Sequence, residues 1–138
     1  MAKDKENKEL QKKYLELQIL NAQIKQIDEQ LLLVDQQVAE LQIMRNALNI
    51  LSEKSVPFNS LIPVGKGVFV SGKISETKEV LVNVGADVFI KKPISEAKNL
   101  IENQLQELEK VTLELNNNLL LFSQRIQELE KELNQNIG

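Results

Sequence analysis

The sequence predicts an α+β fold that is mainly α: a long antiparallel two-helix coiled coil with two β-hairpins inserted between the helices. Three observations support it. All three prolines (Pro57, Pro63, Pro93) and four of the five glycines (Gly65, Gly67, Gly72, Gly85) lie between positions 57 and 93, so the residues that stop helices are concentrated in the middle of the 138-residue chain. On either side, apolar residues recur at alternating spacings of three and four, the 3.5-residue repeat of a coiled coil. In the middle the apolar period becomes two, which is that of a strand.

Helix 1 is expected over residues 7–52. Its seam reads Leu17, Leu20, Ile24, Ile27, Leu31, Val34, Val38 and Leu41, all apolar, while Gln23, Asp28, Gln30, Asp35 and Gln37 flank it. The frame meets Arg45 before it resumes at Leu48. At 1.5 Å per residue such a helix is on the order of 65 Å long.

Residues 58–92 are expected to form the two hairpins. Ser60 to Pro63 gives a first strand, with Val64-Gly65-Lys66-Gly67 as its turn, and Val68, Val70 and Ile74 mark a second. Ser75 to Lys78 links this to a third strand carrying Val80, Val82 and Val84. Gly85-Ala86 is short enough for a tight turn with the positive φ that glycine permits, and Val88 and Ile90 mark the fourth strand. The opposite face carries Leu61 or Ile62, Phe69, Leu81 and Phe89.

Helix 2 is expected over 93–136. Pro93 suits a first turn, because the N–H it lacks has no partner there anyway. The seam continues as Ile101, Leu105, Leu108, Thr112, Leu115, Leu119, Phe122, Ile126, Leu129 and Leu133, with only Thr112 departing from apolar. Two such helices bury their seams against each other when they fold back antiparallel, and residues whose numbers sum to about 146 then face each other. Leu20 is expected near Ile126, and Leu10 near Asn136 and Ile137.

Four short strands from one chain bury no two-sided core, and open strand edges template pairing with another chain. Closing the sheet with strands of other subunits, as an intersubunit β-barrel, resolves both problems. Leu61, Ile62, Val68, Phe69, Val70, Val80, Leu81, Val82, Val84, Val88, Phe89 and Ile90 are therefore the candidate oligomerisation residues.

Composition excludes several function classes. Seventeen Lys+Arg against twenty Asp+Glu give a net charge of −3, which leaves no electrostatic footprint for a nucleic-acid partner. There is no histidine and no cysteine, so the commonest general base, the commonest metal ligand and the thiol nucleophile are all missing. No enzyme, cofactor, metal site or disulfide framework is expected. Gly65-Lys66-Gly67 opens a strand and lacks the remaining residues of a phosphate loop, so it reads as a turn. Glu128, Glu130 and Glu132 alternate with Lys131 as a solvated helix face. The charged start MAKDKENKELQKK lacks the apolar stretch of a signal peptide, and no run reaches the roughly eighteen apolar residues of a membrane helix. A cytoplasmic protein with no membrane partner is expected.

The insert also resembles a known family. Ser60 to Ile74 (SLIPVGKGVFVSGKI), with its LIPVG strand-turn, and Glu79 to Ala97 (EVLVNVGADVFIKKPISEA), with VNVG leading through VFIKK into helix 2, resemble the alpha class of prefoldin subunits, archaeal type. In architecture the resemblance covers the whole chain as one domain, 1–138; in sequence motif it is confined to the insert. It implies an ATP-independent chaperone built from two alpha-type and four beta-type subunits. The hexamer holds unfolded proteins between the tips of its coiled coils and delivers them to a group II chaperonin.

On that implication, the apolar residues near the helix ends are the candidate client-binding residues: Leu10, Tyr14, Leu17 and Leu20 on helix 1, Ile126, Leu129, Leu133 and Ile137 on helix 2. Leu10, Tyr14, Leu133 and Ile137 are expected to be intermittently exposed, since terminal turns fray. Leu32, Leu33, Leu113, Leu120 and Leu121 lie off the seam and either line a cavity shared with neighbouring coiled coils or touch across the hairpin. Two other readings keep part of this picture. One is a coiled-coil adaptor that docks a single folded partner; the other is an alpha-class subunit that assembles with itself.

Overall fold

A computed structural model describes residues 2–137, with the side chains of Asn136 and Ile137 outside the described part. The element order is α1 (Ala2–Glu53), β1 (Phe58–Gly65), β2 (Val68–Ile74), β3 (Glu79–Asn83), β4 (Phe89–Pro93) and α2 (Ile94–Ile137). The fold is the expected one, two long helices with two antiparallel hairpins between them.

Boundaries differ in instructive ways. Helix α1 starts at Ala2 rather than residue 7, because Ala-Lys-Asp-Lys-Glu contains good helix formers and Asp4 lies in the first turn, where a negative charge favours the helix dipole. Helix α2 starts at Ile94, one residue after Pro93, which ends β4 opposite Glu79. The N–H of Ile94 donates to the carbonyl of Lys78 at 3.0 Å, so the start of α2 is tied to the link between β2 and β3. β1 is longer than expected at both ends, reaching Phe58 and Gly65.

The chain divides into two units, Met1–Gln37 with Glu107–Gly138, and Val38–Gln106. In the first, the terminal unit, the seam positions from Leu17 to Val34 and from Leu108 to Leu133 are all buried or half-buried, and the flanking positions are largely exposed. Thr112 keeps its place in the seam because its hydroxyl donates to the Leu108 carbonyl at 2.9 Å, which satisfies the polar group within its own helix. Ion pairs run across the two helices: Lys13 Nζ to Glu132 at 3.2 Å, and Arg125 Nε to Glu16 Oε1 at 2.8 Å. The lower-numbered residue meets the higher-numbered one, as antiparallel pairing requires.

In the second, the hairpin unit, Leu41, Ala97 and Ile101 are buried between the two helix segments. Arg45, which interrupts the seam, is half-buried and bonds Glu102 at 3.2 Å. Lys98 Nζ donates to Ser52 Oγ at 2.7 Å.

The two hairpins form separate two-stranded sheets. Their registers are the same, twenty positions apart. Ser60↔Gly72, Leu61↔Ser71, Ile62↔Val70 and Pro63↔Phe69 in the first correspond to Val80↔Lys92, Leu81↔Lys91, Val82↔Ile90 and Asn83↔Phe89 in the second. The sequence repeats in step: Val64-Gly65-x-x-Val68-Phe69-Val70, then Val84-Gly85-x-x-Val88-Phe89-Ile90.

The turns differ. In the first, Gly67 has φ 78°, a conformation that costs a residue with a Cβ. In the second the tight turn is centred on Ala86 and Asp87 (φ 50° and 59°), one residue later than the expected Gly85-Ala86. The reason is its hydrogen bonding. Val88 N–H donates to the Gly85 carbonyl and Val84 N–H to the Val88 carbonyl, each at 2.9 Å, and Gly85 N–H donates to Asn83 Oδ1 at 2.9 Å. Positive φ at both central residues is the geometry that suits the twist of a hairpin.

Candidate functional site

Strand alternation gives each hairpin two faces. In the first, Phe58, Ser60, Ile62, Val70, Gly72 and Ile74 share one face, and most of these are half-buried. Ile62 Cδ1 occupies the place a Cβ on Gly72 would take, so any larger residue there would displace the Ile62 side chain. Leu61, Pro63, Phe69 and Ser71 share the other face and are exposed. Of the two alternatives, Leu61 is thus the residue that faces outward with Phe69, and Ile62 the one that faces inward.

The second hairpin follows the same rule. Val80, Val82 and Lys92 are half-buried on the inner face, which Ile90 shares while remaining exposed. Val80 and Val82 border an apolar groove of about 650 Å³ with Met44, Leu48 and Leu100. Leu81 and Phe89 point outward. Leu61, Phe69, Leu81 and Phe89 are 66%, 56%, 65% and 58% exposed. Val64, Val68, Val84 and Val88 near the turns are also exposed. All twelve candidate oligomerisation residues lie on the two hairpins, and only Val80 and Val82 are shielded as far as half-burial.

The candidate client-binding residues separate by burial within the terminal unit. Tyr14 is exposed, and Leu10, Leu17 and Ile126 are half-buried. Leu20 is buried, Leu133 is 5% exposed, and Leu129 is fully enclosed. Leu133, expected to be intermittently exposed, is enclosed in the seam beside Glu132, which is tied to Lys13, and the helix continues to Ile137. The side chain of Ile137 lies outside the described part.

Leu15 and Ile19, which seam reasoning passed over, are exposed beside Tyr14. Their signal is an apolar i, i+4 pair, one position before Glu16 and the seam residue Leu20. Leu32, Leu33, Leu113, Leu120 and Leu121 are all exposed, so they do not bury one another across the hairpin.

Arg125 is the electrostatic centre of this unit. It meets both oxygens of Glu16 (Nε at 2.8 Å, Nη2 at 3.2 Å) and Glu128 at 3.2 Å. The Arg125 hydrogen bond holds the Glu16 carboxyl below its ordinary range, and the two carboxylates raise the arginine further. Among the described residues no group of acidic side chains is arranged to hold a metal, and no helix is long and apolar enough to cross a membrane. No buried side-chain polar atom among them lacks a partner.

Comparison with known proteins agrees with this geometry. A family model described as Prefoldin subunit matches residues 20–138. Among solved structures, the chain is similar to one in the cryo-EM structure of filamentous PFD from Methanocaldococcus jannaschii, at 24% identity and a TM-score of 0.75. The match covers 86% of this chain and 98% of that one; at this identity it shows a shared fold. None of the curated proteins compared matches the chain.

Proposed function

The chain belongs to the prefoldin family, and from that premise we propose that it is an alpha-class subunit of an ATP-independent holdase. Prefoldins are a chaperone family, so a role in chaperoning follows from membership; the finer assignments are argued from residues. Two hairpins support the alpha class, since beta-type subunits carry one. The observation that carries the proposal is the outward face of each hairpin, where Leu61 and Phe69, and Leu81 and Phe89, stand in solvent on short two-stranded sheets. Isolated hairpins are marginal in water, and contiguous apolar surface of this kind marks an interface. Strands of other prefoldin subunits, in a hexamer of two alpha and four beta chains, would cover these faces within a barrel.

Client capture belongs to the terminal turns of the helices. Tyr14, Leu15 and Ile19 are accessible, Leu10, Leu17 and Ile126 partly so, and Leu20, Leu129 and Leu133 become available only where the seam opens. Unfolded proteins expose apolar segments of no fixed sequence, and several weak contacts made together hold them without a defined pocket. Release to a group II chaperonin in the cytoplasm completes the proposed role.

The experiment is the mass and subunit composition of the complex recovered with a tagged copy under mild conditions. Two copies with four of a single-hairpin relative is the expected result. A particle made only of this chain would favour the self-assembling reading, and one folded protein of another kind would favour the adaptor. In the assembled particle, Leu10→Ser, Tyr14→Ser, Leu133→Ser and Ile137→Ser together should abolish suppression of client aggregation at unchanged mass. Full activity in that variant would refute tip binding.

A further inference from the structure

The two hairpins share one register, and they depart from each other at the turn and again at the end away from it. Ser71 and Gly72 in β2 correspond to Lys91 and Lys92 in β4. Lys91 pairs with Leu81 and therefore lies on the outward face with Leu81 and Phe89, where it is exposed. Lys92 pairs with Val80 on the half-buried inner face, its Nζ 4.0 Å from Glu96 in the first turn of α2. Among the described residues Lys91 takes part in no ion pair, although Glu79 lies on the same face one pair further along. The far edge of β4 is unpaired. From Phe58 to Pro93 there are five lysines against three carboxylates, in a chain whose net charge is −3. The assembly module is thus net basic within a net acidic chain.

We propose that the free edge of β4 is built to receive a strand of another prefoldin subunit bearing carboxylates opposite Lys91 and Lys92, and that the same lysines bar a second copy of this chain from that edge. The proposal rests on the assembly reading above. Covering Leu81 and Phe89 takes the neighbouring Lys91 ammonium out of water, which is tolerated only when the covering strand supplies an opposite charge. Two β4 edges laid antiparallel would instead set lysines across from lysines, a repulsive cross-strand pair and a known device against edge pairing. Pro93 at the end of β4 adds to this, because it has no N–H to offer the edge.

The test uses an acidic-edge copy of the full chain as the probe. Wild type and a Lys91→Glu/Lys92→Glu copy are mixed in equal amounts, one of them isotopically labelled, and their oligomers are weighed by native mass spectrometry. The ratio of mixed-copy to single-copy species should exceed its statistical value about tenfold at low salt, and the excess should shrink near 1 M salt. Statistical mixing would overturn the proposal. A neutral Lys91→Thr/Lys92→Thr chain should self-associate at about tenfold lower concentration than wild type, and equal self-association of the two would also overturn it. If all forms assemble alike, the assembly reading stands and the charge rule falls. If no form or mixture associates, the charge rule falls, while the assembly reading is decided by the composition of the recovered complex.

Discussion

Ala86 is held at φ 50°, in the left-handed region that costs a residue with a Cβ roughly 1–2 kcal/mol. Replacing it by glycine relieves that strain and loses part of the gain to the freer unfolded chain. Ala86→Gly should therefore stabilise the protein by up to about 1 kcal/mol, read as a higher thermal midpoint by circular dichroism.

Glu16 gives a second prediction at this scale. Its carboxyl is held below the ordinary value of 4.5 by the Arg125 hydrogen bond. A folded value below the unfolded one means that the stabilisation is present above the unfolded value and lost as pH falls through the folded one. Glu16→Gln should melt lower than wild type at neutral pH, and the gap should narrow as pH falls below the unfolded value and close once the Glu16 carboxyl is protonated in the folded protein. A gap that is constant with pH would assign the loss to packing. Both side chains are only half-buried, so the effect is small and weakens with salt.

The seam is the element most legible in the sequence. Every apolar seam residue from Leu17 to Leu41 and from Ile101 to Leu133 is shielded, because a 3.5-residue repeat leaves only one face to bury. That pattern separates residues of the same type. Leu129 is fully enclosed, so Leu129→Ala should cost about 2–5 kcal/mol in denaturant unfolding. Leu121 is 60% exposed, and Leu121→Ala should change stability by no more than about 0.5 kcal/mol.

The hairpins were legible in strand count and in which faces are apolar. Alternation alone, however, left open whether Leu61 or Ile62 faces out, because both are large and aliphatic. Register decides it, and register is set by the turn. The centre of the second turn was one residue off for the same reason: the Asn83 side chain caps the Gly85 N–H and moves the tight turn to Ala86-Asp87. At the helix ends, a seam frame ranks residues by position alone. It therefore named Leu133, which the structure buries, and passed over Leu15 and Ile19, which it exposes.

For the whole molecule, the exposed apolar surface and the modest net charge of −3 mean that client capture, on the proposed role, would be driven by apolar contact. Client binding should change little between low and physiological salt, and a steep loss over that range, measured by suppression of aggregation, would make charge the driving force. With no histidine and no cysteine, the chain also lacks the side chains whose ordinary titration falls between about pH 5 and 8.5. The same measurement repeated across that range should stay flat for any client that does not itself titrate there.

The matched registers of the two hairpins bear on ancestry. Val64 and Val84 hold equivalent positions, so an in-frame exchange that joins Val64 directly to Gly85 excises one module whole. The strand left before the junction and the strand left after it already share a pairing scheme: Ile62 would meet Ile90 as it now meets Val70, and Leu61 would keep Phe89 on its own side. The helices would still be joined through a single hairpin whose strand pairing is already in place. The number of hairpins in such a chain is therefore something that one recombination event alters by a unit, in either direction.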